Sequence, residues 1–135
     1  MPLARDLRAD GEAARRKGIP ILVLFNLPGC PYCNVVRRSH LLPMLADPVA
    51  SKRAILRQVN VGGAQALVDF AGANTAHGEF AQTNGIRLAP VVAFFDGRGR
   101  KAADSLTGML LPDFYAYYLE SALEAAIRFS NATSP

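Results

Sequence analysis

The stretch ILVLFNLPGCPYC, residues 21–33, decides the fold of this chain of 135 residues. Its first five residues form a short, continuous apolar run, which is typical of a central strand covered on both faces. The next four residues, Asn-Leu-Pro-Gly, favour a turn. Pro31 suits the first turn of a helix, where an N–H group has no partner within the helix. The stretch therefore predicts a buried strand, a turn and a helix that opens at Cys30.

Helices and strands alternate on both sides of this stretch. Upstream, Leu3, Leu7 and Ala14 recur among charged residues and predict an amphipathic helix within 1–18. Downstream, a helix is expected to run from the cysteines through Leu41-Leu42, with Pro43 breaking or kinking it. The other predicted elements are a strand at 54–61, an insert or irregular segment at 62–75, a short helix at 76–84, a hairpin of strands 91–95 and 101–107, and a C-terminal helix at 112–130.

The order of these elements predicts an α/β fold with a central mixed β-sheet flanked by helices. The early strands alternate with helices, whereas the last two strands form a hairpin, so parallel and antiparallel pairing are both expected. A length of 135 residues suits one ordinary domain, 1–135, with a core that needs no disulfide staple. The chain shows no internal repeat and no low-complexity tract.

Charge and hydropathy argue against two kinds of partner. The chain has 15 basic and 11 acidic residues, for a net charge of +4. Its arginines are scattered among acids rather than packed into one block, so no nucleic-acid partner is expected. No apolar run reaches the length of a membrane-spanning helix, so direct membrane insertion is not expected. We predict a soluble monomer.

The two cysteines of the chain, Cys30 and Cys33, are separated by only two positions. A cysteine at a helix N-terminus lies where unpaired N–H groups and the positive end of the helix dipole favour the thiolate, which is the form that attacks disulfides. Cys30 occupies this place. Cys33 follows one turn later, within reach of the mixed disulfide that Cys30 would form with a substrate. We interpret the pair as a redox-active dithiol.

Two other uses of the cysteines are less favoured. A purely structural disulfide would close a loop of four residues, which stabilises a fold by only about 2 kcal/mol. A zinc site could draw on Cys30, Cys33, His40 and His77, but structural zinc sites normally have a second compact pair of ligands. The two histidines are far apart in the sequence, and His40 is interpreted as a surface or helix-end residue. No metal ligand set is therefore predicted.

With these motifs in order, the chain resembles the thioredoxin superfamily over most of its length. The resemblance is carried by the Cys-Pro-Tyr-Cys motif after a buried strand, by the Ala89-Pro90 step before strand 91–95, by Asp96-Gly97-Arg98-Gly99 and by Thr107-Gly108. It implies a thioredoxin-like fold and a thiol-disulfide oxidoreductase that needs no cofactor. Its catalytic residues would be Cys30 as nucleophile and Cys33 as resolving cysteine.

The resemblance also implies where a substrate binds. In this superfamily the proline that matches Pro90 follows a cis peptide bond and lies against the cysteine pair. The preceding residue, here Ala89, offers backbone groups to an extended substrate, which is strand addition. Pro31 and Tyr32, between the cysteines, complete the predicted substrate-binding set.

A narrower resemblance is to bacterial periplasmic thioredoxin-like proteins of the SoxW type, through Pro-Gly-Cys-Pro-Tyr-Cys, the insert at 62–75 and the aromatic C-terminal helix. It implies an exported protein whose leader is missing from this sequence. Its substrates would be disulfide-containing proteins, and an upstream thiol electron donor, for which a membrane-bound protein is a candidate, would reduce it again. A cytoplasmic location is the alternative, because the sequence begins without a leader. Two other functions stay open: a glutaredoxin-like, glutathione-dependent reductase, and a metal-binding or copper-delivery module that uses Cys30 and Cys33.

The chain departs from the thioredoxin pattern in two respects. It has no tryptophan before the motif, and Leu24 stands where thioredoxins usually carry a buried acid that helps to deprotonate the second cysteine. No replacement base is evident in the sequence. Arg37 and Arg38 are interpreted as solvated helix residues, although their charge would lie near the thiolate. The aromatic cluster on the C-terminal helix is predicted to pack on the sheet; it comprises Phe114, Tyr115, Tyr117 and Tyr118.

Overall fold

The structure is a computed structural model that describes residues 1–109 and 112–133. Its elements are α1 (Leu7–Lys17), β1 (Ile21–Asn26), α2 (Pro31–Val36), α3 (Leu42–Ala46), β2 (Ile55–Asn60), β3 (Ala66–Val68), β4 (Asn74–Ala76), α4 (His77–Thr83), β5 (Val91–Phe95), β6 (Lys101–Thr107) and α5 (Tyr115–Thr133). A π-helical turn, Arg37–Leu41, joins α2 to α3, and short 3-10 turns occupy Ala50–Lys52 and Pro112–Phe114.

The main sheet has four strands in the order β2-β1-β5-β6. Strand β1 pairs parallel with β2 and antiparallel with β5, and β5 pairs antiparallel with β6. All six residues of β1 are buried, as its continuous apolar sequence requires. The predicted α/β fold, with a mixed central sheet flanked by helices, is confirmed.

Alternate residues of β1 point into two separate cores. Ile21, Val23 and Phe25 face the side that also holds Leu7 of α1 and Phe80 of α4. Residues of the opposite parity, Leu22 and Leu24, pack with residues of α2, β2, β5 and α5 such as Val36, Leu56, Phe94 and Leu123. Because both faces of β1 are covered, the end of this strand is a rigid base for the turn that carries the cysteines.

The N-terminal helix starts later than the sequence pattern suggests. Helix α1 begins at Leu7, because the side chain of Asp6 caps it by accepting a hydrogen bond from the N–H of Ala9 at 2.9 Å. The residues before the cap are extended, and Leu3 forms a bridge beside Gln58. The spaced leucines that suggested a longer helix thus belong partly to extended backbone.

The helix that begins at the cysteines continues past Pro43. Pro43 has no N–H, and its ring would clash with the carbonyl of the residue four positions earlier in a regular helix. The chain widens into the π-helical turn just before this residue, and the N–H of Leu42 bonds to the carbonyl of Arg37. Helix α3 then runs to Ala46, so the proline marks a change of helix type and not an end.

The insert at 62–75 contains part of a small hairpin, formed by β3 and β4. In its turn, the Asp69 side chain accepts hydrogen bonds from the N–H groups of Ala71 and Ala73, and Gly72 takes a positive φ of 91°. Phe70 stacks near Phe95 at a centroid distance of 5.3 Å, which ties the hairpin to the core. Strands of three residues are too short to give a clear alternating pattern.

Helix α5 buries one aromatic residue of the four predicted to pack. Tyr115 is buried, whereas Phe114, Tyr117 and Tyr118 are exposed, so the prediction of a packed aromatic face is wrong for three of them. The buried stripe of α5 instead continues through Leu119 and Leu123. Neither α5 nor any other helix of the described residues combines the length and the apolar character needed to cross a bilayer.

Candidate active site

The two cysteines lie just beyond the buried end of β1. The chain turns through Leu27 to Gly29, where the positive φ of 76° at Gly29 suits a residue without a side chain. Cys30 is the N-cap of α2, and Pro31 follows in the first turn of the helix. The sequence therefore presents Cys30 at the start of a helix, as its local pattern predicts.

The sulfur of Cys30 sits between the helix and a distant loop. Its Sγ accepts a hydrogen bond of 3.2 Å from the N–H of Cys33, and it lies 3.9 Å from the carbonyl oxygen of Ala89. Cys30 is half-buried and Cys33 is fully buried, and both are free thiols. A backbone N–H aimed at a sulfur is an arrangement that a thiolate accepts, so Cys30 is the sulfur placed to meet a substrate.

Burial sets the acidity of the second cysteine. Desolvation, together with a hydrogen bond to Cys30 and the charge of that residue, raises the pKa of Cys33 to about 11. A backbone hydrogen bond from Leu27 and the positive charge of Arg37 act in the opposite direction. Cys33 is therefore a neutral thiol near pH 7 and needs help to become a nucleophile.

The Ala89-Pro90 step lies against Cys30 although it is 59 residues away in the sequence. Its peptide bond is cis. Pro90 is buried, and its carbonyl oxygen accepts a hydrogen bond of 2.8 Å from the N–H of Gly108. The structure thus brings together Cys30, Ala89 and Pro90, three residues of the predicted site.

Exposed apolar residues flank Cys30 and Ala89 in the chain. Pro31 is exposed, and Tyr32 keeps 59% of its surface accessible. Sequence analysis missed two further residues, Leu27 before Cys30 and Leu88 before Ala89, which are 37% and 65% exposed. Large apolar residues inside otherwise polar turn sequences are the signal that could have found them.

Arg37 is not a solvated helix residue, which corrects the sequence-based interpretation. It is half-buried, and its guanidinium donates hydrogen bonds to the side chains of Gln58, Asn34 and Asn26. The neighbouring Arg38 is exposed, as expected. The prediction failed for Arg37 because two of its three acceptors lie on strands that are distant in the sequence, Asn26 on β1 and Gln58 on β2.

The two histidines lie away from the cysteines. The ring of His40 packs on Tyr115 at 4.8 Å, and its burial lowers its pKa. His77 is fully buried, with both ring nitrogens bound to backbone atoms of Ala4 and Asn60. In residues 1–109 and 112–133, no group of three or more histidine, cysteine or acidic side chains is placed to hold a metal ion.

A family model described as a thioredoxin-like domain matches residues 7–123 of the chain. No curated protein matches the chain. Among solved structures, a thioredoxin from Thermus thermophilus has a TM-score of 0.56 at 19% identity, and the match covers 100% of this chain and 95% of that one.

Two further structures are similar. The C-terminal domain of DsbD from Neisseria meningitidis has a TM-score of 0.55 at 18% identity, covering 89% of this chain and 98% of that one. The periplasmic thioredoxin SoxS from Paracoccus pantotrophus has a TM-score of 0.50 at 16% identity, covering 79% and 98%. At identities this low, the structural matches show a shared fold. The match of the family model over most of the chain shows more: the protein belongs to the thioredoxin-like domain family of the thioredoxin superfamily.

Proposed function

We propose that the protein is a thiol-disulfide oxidoreductase that reduces or exchanges disulfides of protein substrates through Cys30 and Cys33. One observation carries the proposal. The half-buried sulfur of Cys30 caps a helix, lies 3.9 Å from the carbonyl oxygen of Ala89, and has Cys33 one turn behind it. A nucleophilic sulfur, a resolving sulfur and a backbone segment for the substrate are thus adjacent.

The reaction has two exchange steps. The Cys30 thiolate attacks one sulfur of the substrate disulfide, and the other substrate sulfur leaves as a thiolate that takes a proton from water. Cys33 then loses its proton to solvent and attacks the Sγ of Cys30. The bond between Cys30 and Cys33 forms as the second substrate sulfur leaves. The substrate gains two electrons, and the protein dithiol becomes a disulfide.

The surface around Cys30 favours an extended polypeptide over a small molecule. Ala89 is half-buried and offers backbone groups beside the sulfur, as strand addition requires. Exposed apolar surface comes from residues close in the chain to Cys30 and Ala89, namely Tyr32, Leu27 and Leu88. A peptide with an apolar residue next to its cystine would cover these side chains.

An upstream thiol donor must reduce the protein again by the reverse exchange. We propose a periplasmic setting in which disulfide-containing proteins are the substrates and the donor is membrane-bound. The SoxW-type sequence resemblance supports this setting, and the presence of a periplasmic thioredoxin among similar structures is in keeping with it. Cell fractionation with an antibody to the native protein tests the location, and recovery only in the cytoplasm would contradict it.

Reductive cleavage of insulin in the presence of dithiothreitol tests the activity. The wild-type protein should accelerate insulin precipitation, and Cys30→Ser should abolish this acceleration. In a separate incubation without dithiothreitol, Cys33→Ser should retain the first exchange and accumulate a mixed disulfide that mass spectrometry detects. Turnover that survives Cys30→Ser would contradict the assigned roles. A parallel assay with glutathione and a small mixed disulfide distinguishes a glutaredoxin-like activity.

A further inference from the structure

Arg37 lies one helical turn after Cys33 and is held by side chains from three elements. Its Nε donates to Oε1 of Gln58 at 3.1 Å, and its Nη1 donates to Oδ1 of Asn34 at 2.7 Å. Its Nη2 donates to Oδ1 of Asn26, at the end of β1. All three guanidinium nitrogens are engaged, so the charge is fixed in place.

The acceptors that hold Arg37 are themselves held. Asn26 and Gln58 each donate a side-chain hydrogen bond to Oδ1 of Asn60, at 2.9 and 3.1 Å. Asn26 is buried. This amide bracket, which we define as Asn26, Asn34, Gln58 and Asn60, joins α2 to the carboxyl ends of β1 and β2. It leaves the guanidinium little freedom to move.

The bracket does not neutralise the arginine. Each member is a neutral amide, and the ion pairs found among the described residues all involve other basic side chains. A half-buried arginine with a structural task alone normally pairs with a carboxylate, because desolvating a lone charge is costly. Arg37 instead retains a net positive charge, one helical turn after Cys33.

We propose that Arg37 is a positioning residue for the second exchange step, in which its fixed positive charge stabilises the thiolate of Cys33. The inference rests on the proposed function of the dithiol. The guanidinium stays protonated in proteins, so it takes no proton itself. The proton of Cys33 goes to water, and the resulting thiolate forms the bond to Cys30 as the substrate thiolate departs.

No other charge that acts on Cys33 among the described residues would stabilise its thiolate. Among the described residues, the charges that act on the pKa of Cys33 are those of Cys30 and Arg37, and only the second lowers it. The side chains of β1 and β2 that hold Arg37 are amides, and Leu24 is buried at the position where the resemblance to thioredoxins would place an acid. A fixed cation one helical turn after Cys33 is therefore the favourable charge in a site without an evident proton acceptor.

A titration of Cys33 tests the inference without any catalytic assay. In a Cys30→Ala background Cys33 is the only cysteine, and two influences that raise its pKa are removed. The protein is labelled with ¹³Cβ-cysteine, and the chemical shift is followed with pH by NMR. Arg37→Met should raise the midpoint, by less than one pH unit because the Arg37 charge is the smallest of the influences on this pKa, as expected for loss of an opposite charge. Arg38→Met, one residue further on and exposed, is the matched control and should leave the midpoint unchanged.

Conservative variants separate charge from packing. Arg37→Lys keeps the charge and should restore most of the wild-type midpoint, whereas Arg37→Gln keeps a hydrogen-bonding amide and should not. Thermal unfolding identifies any variant that has not folded. The titration midpoints of the folded variants are then compared. Equal midpoints for Arg37→Met, Arg37→Gln and Arg38→Met would overturn the inference. So would a lysine variant that shifts as far as the methionine variant.

The same variants in the two-cysteine protein connect the charge to turnover. Arg37→Met should slow resolution of a mixed disulfide on Cys30 by up to about threefold and leave its formation unchanged, because the loss of thiolate outweighs the higher nucleophilicity that a raised pKa confers. A wild-type protein that cleaves no insulin overturns the proposed function and, with it, this role of Arg37. If the wild type is active but the titration midpoint of Cys33 is the same with and without Arg37, the present inference alone is overturned.

Discussion

The Nδ1 atom of His77 accepts a hydrogen bond of 2.9 Å from the backbone N–H of Asn60. Nδ1 therefore carries no proton, and Nε2 donates to the carbonyl oxygen of Ala4 at 2.8 Å. The ring thus links β2, which carries two members of the amide bracket, to the extended N-terminal segment. This one buried side chain is the hydrogen-bond partner of two backbone groups.

We predict that His77→Ala destabilises the protein by about 3 kcal/mol, because it empties a fully buried site and leaves two backbone groups without partners. Urea unfolding followed by circular dichroism measures the change. His40→Ala is the control, and it should cost about 1 kcal/mol because it removes one half-exposed aromatic contact. Equal losses for the two histidines would contradict the assigned role of His77.

Gly11 shows where helix propensity gives the wrong expectation. It lies inside α1, where Gly→Ala normally stabilises by about 1 kcal/mol. A Cβ at Gly11 would lie 2.2 Å from the carbonyl oxygen of Gly97, in the turn between β5 and β6. Backbone atoms of a tight turn cannot yield as a flexible side chain does.

Gly11→Ala should therefore destabilise the protein by about 2 kcal/mol, the usual cost of overpacking a close contact. The midpoint of thermal unfolding should fall accordingly. Ala9→Gly, the reverse change at an exposed position of the same helix, should cost about 1 kcal/mol from propensity alone. A Gly11→Ala protein as stable as the wild type would show that α1 can shift away from the turn.

Tyr32 provides a test of the substrate surface. Its ring is 59% exposed next to Cys30, and Tyr117 on α5 is similarly exposed at 68%. Tyr32→Ala should raise the KM for insulin about three- to tenfold with little change in kcat, since loss of an aromatic contact at an interface costs about 1 kcal/mol. Tyr117→Ala should change neither constant. If both variants behave alike, Tyr32 has no special contact with substrate.

Local chemistry explains which parts could be predicted from the sequence. Three patterns that are neighbours in the chain each favour one local structure: the apolar run of β1, the turn that ends at Gly29, and the proline after Cys30. The strand, the start of α2 and the class of the fold follow from them. The proximity of Ala89 to Cys30 was expected only through the resemblance to thioredoxins, because no local signal joins residues 59 positions apart.

Long-range partners explain what the sequence did not reveal. Arg37 has the surroundings of a solvated residue in its own helix, and only the pairing of β1 with β2 brings Asn26 and Gln58 within its reach. The π-helical turn lets the helix continue through Pro43 into α3. The presence of a proline in the sequence does not specify whether a helix ends there or changes its type. Such features require the sheet register before they can be inferred.

The raised pKa of Cys33 gives the resolving step a distinctive pH dependence. The thiol must lose its proton before it attacks, and with a pKa of about 11 the thiolate fraction rises about tenfold for each pH unit throughout the neutral and mildly alkaline range. Loading Cys30 with thionitrobenzoate removes the hydrogen bond and the charge of Cys30, but desolvation, the largest influence, still raises the pKa of Cys33. The rate at which Cys33 releases the chromophore should therefore rise with the same slope through the neutral range. Stopped-flow absorbance measures this release, and Cys33→Ser, which should retain the chromophore, controls for hydrolysis. A release rate that levels off near neutral pH would mean that the mixed disulfide activates Cys33 far beyond what the free dithiol allows.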